Sequence, residues 1–317
     1  MGEIKAMYKD SLEFDSDNLD LLTIDWEDVT YLRSAGKSNI NIDGVGPATG
    51  VLEISGEVVR LVNGDDVRVF RRSQLISLSS TGDREIDLWS VDLALSLNVR
   101  SGNTNQVDYT TRLSVKRRTA RSRVLMNYVG NISKTDAGTG TLVETINNNR
   151  LSASWSVYAT RHFYYTPMFA EYYRDPFQNI DQRLTAGFGI GYTILDTGKL
   201  EWNVTVGPAY QHIRYISVQP GADEKVDGGA LVLTTDYDHE LTNRLDFIFN
   251  YSLTAASSDL GGYTHHLLAS FESEITGSLD FDISFMWDHV GQTTEDSEGN
   301  KPEPDDYRIM VGLNWSV

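Results

Sequence analysis

The chain has 317 residues, of which 45 are acidic and 27 basic, giving a net charge of −18, and it contains no cysteine. The excess of acid argues against a function built on phosphate contacts, so we expect no nucleic-acid partner. Disulfides and thiolate metal ligands are excluded. Mean hydropathy is −0.32, and no apolar run approaches the roughly 18 residues that a membrane-spanning helix needs.

Residues 1–82 predict a small all-β domain with short strands. Apolar segments alternate with turn residues, four in each half, and the two halves repeat loosely. The segments are 2–5, 12–14, 22–26 and 29–32, then 50–53, 58–61, 67–70 and 75–78. We therefore predict one compact β sandwich or small barrel, lying in the periplasm if the rest of the chain is a membrane barrel.

From Glu85 onward the strands become longer and alternate between apolar and polar side chains, with poorer alternation in 164–173. Residues 88–99 place Trp89, Val91, Leu93, Leu95, Leu97 and Val99 on one face. Similar segments are 107–115, 124–128, 151–157, 164–173, 184–192, 202–210, 231–237, 245–253, 267–271, 279–287 and 307–317. They make twelve strands, and single-chain bacterial barrels have an even number. We predict a transmembrane antiparallel β-barrel over residues 83–317.

The connections between these segments support a barrel that crosses an outer membrane. Alternate connections are short, at 117–121, 159–162, 196–199, 239–243 and 276–278. The opposite set is mostly longer and includes 133–145, 173–181, 217–228 and 289–306. Short periplasmic turns and long outer loops are typical of such barrels.

Alternation alone does not distinguish a membrane barrel from a large soluble β protein, which remains the alternative. The polar faces of the strands, opposite the apolar ones, favour the membrane barrel. They carry mostly Ser, Thr, Asn, Gly and charges, including Gly187, Gly189 and Gly191 in succession. A narrow lumen needs small or polar residues at such positions, whereas a soluble exterior favours more Lys and Glu.

Charges on the lumen faces segregate along the chain. Basic residues lie in early strands and acidic residues in late ones, so the two sets are expected to face each other inside the closed barrel. They are Arg100, Arg112, Lys116 and Arg123, against Asp236, Asp246, Glu272, Asp280, Asp282 and Asp288. They predict either a neutralising network that fills the barrel or a transverse field in a narrow pore. A barrel of twelve strands is intermediate between barrels filled by side chains and barrels with a water channel, so both interpretations stay open. We favour a filled or narrow lumen.

Several short motifs resemble one family of envelope proteins. Leu95-Ser-Leu-Asn-Val-Arg-Ser-Gly-Asn-Thr104 is similar to a hairpin of the YdiY-like family, whose members are labelled salt-induced outer membrane proteins. Tyr172-Tyr-Arg-Asp175, Asp181-Gln-Arg183, Gly187-Phe-Gly-Ile-Gly-Tyr192 and Gly207-Pro-Ala-Tyr210 resemble its central signature. The resemblance implies an outer-membrane barrel of unassigned function without catalytic residues. It also singles out Asp175 and Arg183, which we expect to pair and order an outer loop.

Enzyme and metal sites find little support in the sequence. His265 and His266 point to opposite faces of a strand, so they do not form a joint metal site. A lipase would need a nucleophile near His265, and Ser257 and Ser258 lack a recognisable nucleophile motif. The acidic loop 292–306 is expected to be solvated rather than to bind divalent cations. We expect no enzyme activity, no cofactor and no metal.

The sequence favours a bacterial outer-membrane barrel with a pore or envelope-structural role, in contact with lipid and lipopolysaccharide. In the alternative, the barrel is an anchor, and residues 1–82 bind a periplasmic partner or a second copy of the chain. The opening Met-Gly-Glu-Ile-Lys is not a signal peptide, so this location requires a mature chain with an added initiator methionine. The closing strand ends on Val317, where an aromatic residue is usual.

Overall fold

The computed structural model describes residues 2–8, 11–16, 20–80, 85–101, 105–119, 121–136, 138, 140–160, 162–197, 199–242, 244–276 and 279–316. Strands dominate these ranges, with short 3₁₀ turns at Trp26–Asp28, Arg72–Gln74, Glu85–Leu88, Pro176–Gln178 and Ser258–Leu260. Within them, no helix has the length and apolar character needed to cross a membrane. The predicted boundary between residues 82 and 83 lies outside the described residues.

The N-terminal strands form one antiparallel sheet of eight, in the order β3-β2-β1-β8-β4-β5-β6-β7. Each of the eight predicted segments contributes a strand. Their bounds are β1 Gly2–Tyr8, β2 Ser11–Ser16, β3 Asp20–Asp25, β4 Tyr31–Ile42, β5 Gly46–Ser55, β6 Val58–Asn63, β7 Asp66–Arg71 and β8 Leu75–Ser80. Strand β8 pairs with both β1 and β4 and so joins strands β1 to β3 to strands β4 to β7 in one sheet.

A single apolar core lies on one face of this N-terminal sheet. Met7, Leu12, Ile40, Ile54 and Leu78 are among its fully buried members. Partly buried side chains from both outer strands, Ile24 and Phe70, pack against the same cluster. The sheet must therefore curve around its core, because strands at both of its ends reach the same residues.

Arg72 ties the two halves of this sheet together. Its Nη1 donates a hydrogen bond to the carbonyl oxygen of Val29 at 2.5 Å, and its Nη2 donates to that of Trp26. The guanidinium carbon also lies 4.3 Å from the centroid of a Trp26 ring, a cation–π distance. One side chain thus satisfies the backbone carbonyls of the turn before β4.

The remaining twelve strands close into an antiparallel barrel in sequence order, as predicted. The strands are β9 Trp89–Arg100, β10 Asn105–Arg118, β11 Ser122–Asp136, β12 Val143–Tyr158, β13 Phe163–Asp175, β14 Ile180–Thr197, β15 Leu200–Tyr215, β16 Lys225–Thr242, β17 Leu245–Ala255, β18 Tyr263–Thr276, β19 Leu279–Val290 and β20 Asp305–Ser316. Each of the twelve predicted segments falls on one of these strands, except that Leu88 lies in the 3₁₀ turn before β9 and Val317 lies outside the described residues.

The two ends of the barrel differ as the sequence predicts. Short connections separate the strands at one end, at 119–121, 159–162, 198–199, 243–244 and 277–278. Longer segments separate them at the other, notably 216–224 and 291–304. We call these the short-turn end and the long-loop end. Parts of several connections, including 102–104 of the predicted hairpin motif, lie outside the described residues.

The barrel closes through a short seam. Strand β20 pairs with β19 along Asp305 to Trp315, but with β9 only from Leu313 to Ser316. Further along, the Ser96 hydroxyl donates to the carbonyl oxygen of Val311 at 2.5 Å. The predicted C-terminal strand therefore does close the sheet, although Val317 lies outside the described residues.

The seam register is directly testable because the chain has no cysteine. Ala94 and Asn314 are direct partners across the seam, so an Ala94→Cys/Asn314→Cys variant should oxidise to an intramolecular disulfide. A mobility shift on non-reducing gels measures it. The control Asp92→Cys/Asn314→Cys is offset diagonally by two residues, which places its Cα atoms roughly 7–8 Å apart, beyond the reach of an unstrained disulfide. Equal cross-linking of the two variants would contradict the register.

Candidate functional site in the barrel interior

The interior face carries small and polar residues, and aromatic rings cover its glycines. Gly187, Gly189 and Gly191 of β14 face Phe169, Thr166 and Tyr164 of β13. A Cβ atom added to Gly191 would overlap the Tyr164 ring, and one added to Gly187 would lie 2.7 Å from Phe169 Cζ. The glycines predicted to face the lumen therefore make room for two inward rings.

One bridge crosses the interior towards the long-loop end. Arg150 of β12 contacts Glu171 of β13 at 2.8 Å and Asp288 of β19 at 2.7 Å. His266 of β18 lies 2.8 Å from the same oxygen of Asp288. Strands β12 and β19 lie on different sides of the barrel, so this cluster spans the lumen. We call it the Arg150 bridge.

Tyr173 extends the Arg150 bridge to the predicted Asp175–Arg183 pair. The guanidinium carbons of Arg150 and Arg183 lie 4.5 and 4.6 Å from the Tyr173 ring centroid, and the Tyr173 hydroxyl donates to Asp175 at 3.0 Å. The structure gives no direct ion pair between Asp175 and Arg183, because Tyr173 lies between them. Asp175 still orders the loop, since it accepts from the backbone N–H of Phe177 at 3.0 Å.

Arg183 is buried with one of its nitrogen atoms lacking a hydrogen bond among the described residues. Its residue is 4% exposed, and its Nη1 has no hydrogen-bond partner among the described residues. A cavity of about 10 Å³ lies beside it, lined also by Arg150 and His266. This is space for about one water molecule.

A second bridge joins early and late strands near the seam. Arg112 of β10 contacts Asp282 of β19 at 2.5 Å and donates to the hydroxyls of Ser270 and Ser284 at 2.9 and 2.7 Å. Beside it, Asn314 donates to Glu272 at 3.1 Å. We call this group the Arg112 bridge. The opposite charges predicted to meet do so here, because closure makes β10 and β19 near neighbours.

A third group of charges lies towards the short-turn end. Arg123 and Arg118 approach Glu201 at 3.5 and 3.8 Å, and Glu201 also accepts from Asn203 at 2.7 Å. Asp236 accepts from Asn250 at 2.9 Å. Lys116, Asp246 and Asp280 belong to the interior-facing register of their strands, whereas Arg100 lies exposed at the end of β9.

A chamber of about 150 Å³ is bordered by Glu171 of the Arg150 bridge and by Arg123 and Asp236 of the third group. Its lining comes from β11 to β17 and is dominated by hydroxyl side chains. The lining includes Ser152, Ser154, Ser156, Thr166, Thr185, Thr205, Thr234, Ser252 and Thr254, with Asn127, Arg123, Glu171 and Asp236 as the amide and charged members. The interior is therefore neither solid nor an open channel.

The Arg150 bridge was not anticipated from the sequence, apart from Asp288. Arg150 and Glu171 lie in the middle strands of the barrel. They therefore belong neither to the basic residues of the early strands nor to the acidic residues of the late strands. A signal did exist, because Arg150 shares the inward register of Ser152 and Ser154. The partner across the barrel could not be read from that register.

Other predicted features have local structural roles. His265 and His266 point to opposite faces, and His265 lies 2.7 Å from the Tyr251 hydroxyl on the outer face. In the acidic loop, Asp296 accepts from the Asn300 amide and from backbone N–H groups, which hold its pKa below the usual range. Within the described ranges, no group of three or more His, Asp or Glu side chains is placed to hold a metal ion.

The barrel exterior reverses the polarity of a soluble protein. On β20, Ile309 is 75% exposed while its interior-facing neighbour Met310 is 6% exposed. Large exposed apolar residues recur around the barrel, as in Leu97, Phe188 and Leu231. An exposed apolar band around a closed, polar-lined barrel is the architecture typical of membrane-spanning β-barrels.

Comparison with known proteins places the chain in a family. Residues 93–316 match the family described as protein of unknown function DUF481. The chain belongs to this family, and the match covers nearly the whole barrel. No curated protein matches the sequence.

Solved structures to which the chain is similar include a porin, a FadL homologue and an outer membrane channel. The NanC porin is 12% identical with a TM-score of 0.41, covering 71% of this chain and 98% of that one. A FadL homologue from Pseudomonas aeruginosa is 10% identical (TM-score 0.36; 72% and 86% covered). The outer membrane channel DcaP of Acinetobacter baumannii is 10% identical (TM-score 0.31; 90% and 95% covered).

Removing one partner of the Arg112 bridge should destabilise the barrel measurably. Asp282→Asn leaves the buried Arg112 guanidinium without its counter-charge, and breaking a buried pair in this way costs about 3–5 kcal/mol. Urea unfolding of the barrel in lipid vesicles, followed by tryptophan fluorescence, measures the loss. An exposed control, Arg214→Met, removes the surface pair with Asp181 and should cost at most about 1 kcal/mol.

A double variant separates charge from packing. Arg112→Met/Asp282→Leu removes both charges and should recover most of the stability lost in Asp282→Asn, because no uncompensated charge remains. If the double variant is as unstable as the single one, the loss in Asp282→Asn does not come from the uncompensated charge of Arg112.

Proposed function

We propose that this chain is a bacterial outer-membrane β-barrel whose narrow, bridged interior passes small solutes without catalysing a reaction. The observation that carries the proposal is the reversed polarity of a closed barrel, apolar outside and polar inside. A soluble protein would bury those apolar side chains, since large exposed apolar patches mark interaction surfaces. Lipid covers them here, with lipopolysaccharide around the long-loop end.

The N-terminal sheet fits a separate periplasmic domain. It has its own apolar core, and β9 begins at the short-turn end of the barrel. In outer-membrane barrels the short turns face the periplasm. Residues 1–82, which precede β9, would therefore lie on the periplasmic side of the membrane. In this proposal the curved sheet forms a compact domain of sandwich or small-barrel type.

The interior favours permeation that is restricted rather than open. The Arg150 bridge crosses the lumen through contacts of 2.7 and 2.8 Å, and the chamber holds space that a packed core would have filled. Bridges made by side chains can be displaced without breaking the sheet. A narrow pore gated by these side chains is consistent with both features.

Single-channel recording in planar bilayers tests the permeation proposal. The Arg150→Ala variant should raise unit conductance at least severalfold over the wild type, because it removes the side chain that crosses the lumen. The control Arg214→Ala deletes an arginine from an exposed pair and should leave conductance unchanged. If a barrel with normal heat-modifiable gel migration shows no conductance in either the wild type or Arg150→Ala, permeation is ruled out.

A second candidate function treats the barrel as an anchor for the N-terminal sheet. Among the described strands, β7 pairs only with β6, and its Val67 and Val69 side chains are 54% and 59% exposed. An exposed apolar edge strand is a template for pairing with another chain. In this version the edge recruits a second copy of the protein.

The anchor version is tested by the mass of the full-length particle in nanodiscs. Val67→Lys/Val69→Lys should convert an oligomer to a monomer, because charge on an edge strand opposes pairing. Val58→Lys changes an exposed valine on β6, which has neighbours on both sides, and should preserve the oligomer. A wild type that is monomeric at all concentrations would contradict the anchor version with a second copy.

A further inference from the structure

The chamber presents hydroxyl groups that the protein itself leaves available. Within the described part of the chain, no hydrogen-bond partner is supplied to the side-chain oxygens of Ser152, Ser154, Thr185, Thr234, Ser252 and Thr254. Each hydroxyl can both donate and accept. A surface of this kind complements a ligand that also carries several hydroxyls.

The charges in the lining are already partnered. Arg123 faces Glu201 at 3.5 Å, and Glu171 contacts Arg150 at 2.8 Å. Asp236 accepts from Asn250 at 2.9 Å and interacts electrostatically with Arg123. A charged solute would therefore enter without a free counter-charge and would lose its hydration at a cost. The chamber suits an uncharged ligand.

Apolar side chains occupy part of the same wall. Leu125, Phe169 and Val232 contribute to the lining, and the Phe169 ring has its position because Gly187 lacks a side chain. The C–H groups of a sugar or polyol can pack on such a surface while its hydroxyls bond to serine and threonine. A wall with both features differs from one that only holds water.

The size of the chamber limits the ligand. A volume of about 150 Å³ compares with roughly 10–15 Å³ for one water, so it holds on the order of ten water-sized atoms. This is the scale of one sugar ring or a short linear polyol. Two linked rings would not fit without moving a bridge.

We propose that the chamber is a binding site for a small uncharged polyhydroxylated solute, a monosaccharide or polyol. The inference rests on the proposed permeation function, since it names the class of solute that the interior takes. The Arg150 bridge and the Arg123–Glu201 pair border the chamber, so entry and exit require one of them to move. Affinity is expected in the roughly millimolar range, because a permeating solute must also leave.

Saturation-transfer NMR on the full-length protein in nanodiscs tests this, with D-glucose and sorbitol as probes and gluconate as the charged counterpart. The wild type should give saturable transfer to glucose or sorbitol and none to gluconate. Ser154→Val/Thr234→Val removes two chamber hydroxyls and should weaken binding about tenfold. The control Ser114→Val lies on the interior face of β10 outside the chamber lining and should bind like the wild type.

A filling variant, Ser154→Phe, provides an independent check and should abolish binding while the barrel keeps its heat-modifiable migration. The proposal is overturned if the folded wild type binds neither glucose nor sorbitol, or if it binds gluconate as well as glucose. It is also overturned if Ser154→Phe binds glucose and sorbitol like the wild type. Conductance measured on the same preparations separates the two proposals. Conductance without polyol binding rejects the chamber site alone, whereas polyol binding without conductance in Arg150→Ala rejects permeation alone.

Discussion

Closure of the sheet between β20 and β9 is the constraint on which the barrel depends. In lipid there is no water to satisfy backbone N–H and C=O groups, so an open edge costs several kcal/mol for each unpaired group. Pairing from Leu313 to Ser316 closes the circle, and the Ser96 hydroxyl adds a contact to Val311. Closure also brings β10 close to β19, which creates the Arg112 bridge. The wall and its interior are thus consequences of the same pairing.

The interior replaces an apolar core with polar bridges. Buried ion pairs contribute little net stability because desolvation offsets their attraction, but removing one partner is costly. Their value here is positional, since each guanidinium reaches a particular strand. Beside the Arg150 bridge, the side chains of β11 to β17 leave a hydroxyl-lined space that a packed apolar core would have filled. The proposed permeation and the proposed solute binding therefore depend on the same arrangement of side chains.

Much of this site follows from the sequence, but its pairings do not. Charge segregation predicted that a basic set including Arg112 would face an acidic set including Asp282 across the interior, since strand parity fixes which face each residue occupies. Asp175 and Arg183 were expected to pair directly, yet the ring of Tyr173 lies between them. The Arg150–Asp288 contact depends on strand tilt and side-chain length across the lumen. Neither quantity can be read from periodicity.

The sequence by itself determined the number of strands, their faces and the asymmetry of their connections. Successive side chains of a strand point to opposite faces. A strand with one apolar face is therefore visible in the sequence as apolar residues at every second position. It also determined eight strands in the N-terminal region. Only the tertiary structure decided that β8 joins β1 to β4, which side chains bridge the lumen, and that a chamber remains. Those outcomes depend on distances between residues far apart in the chain, which local pattern does not encode.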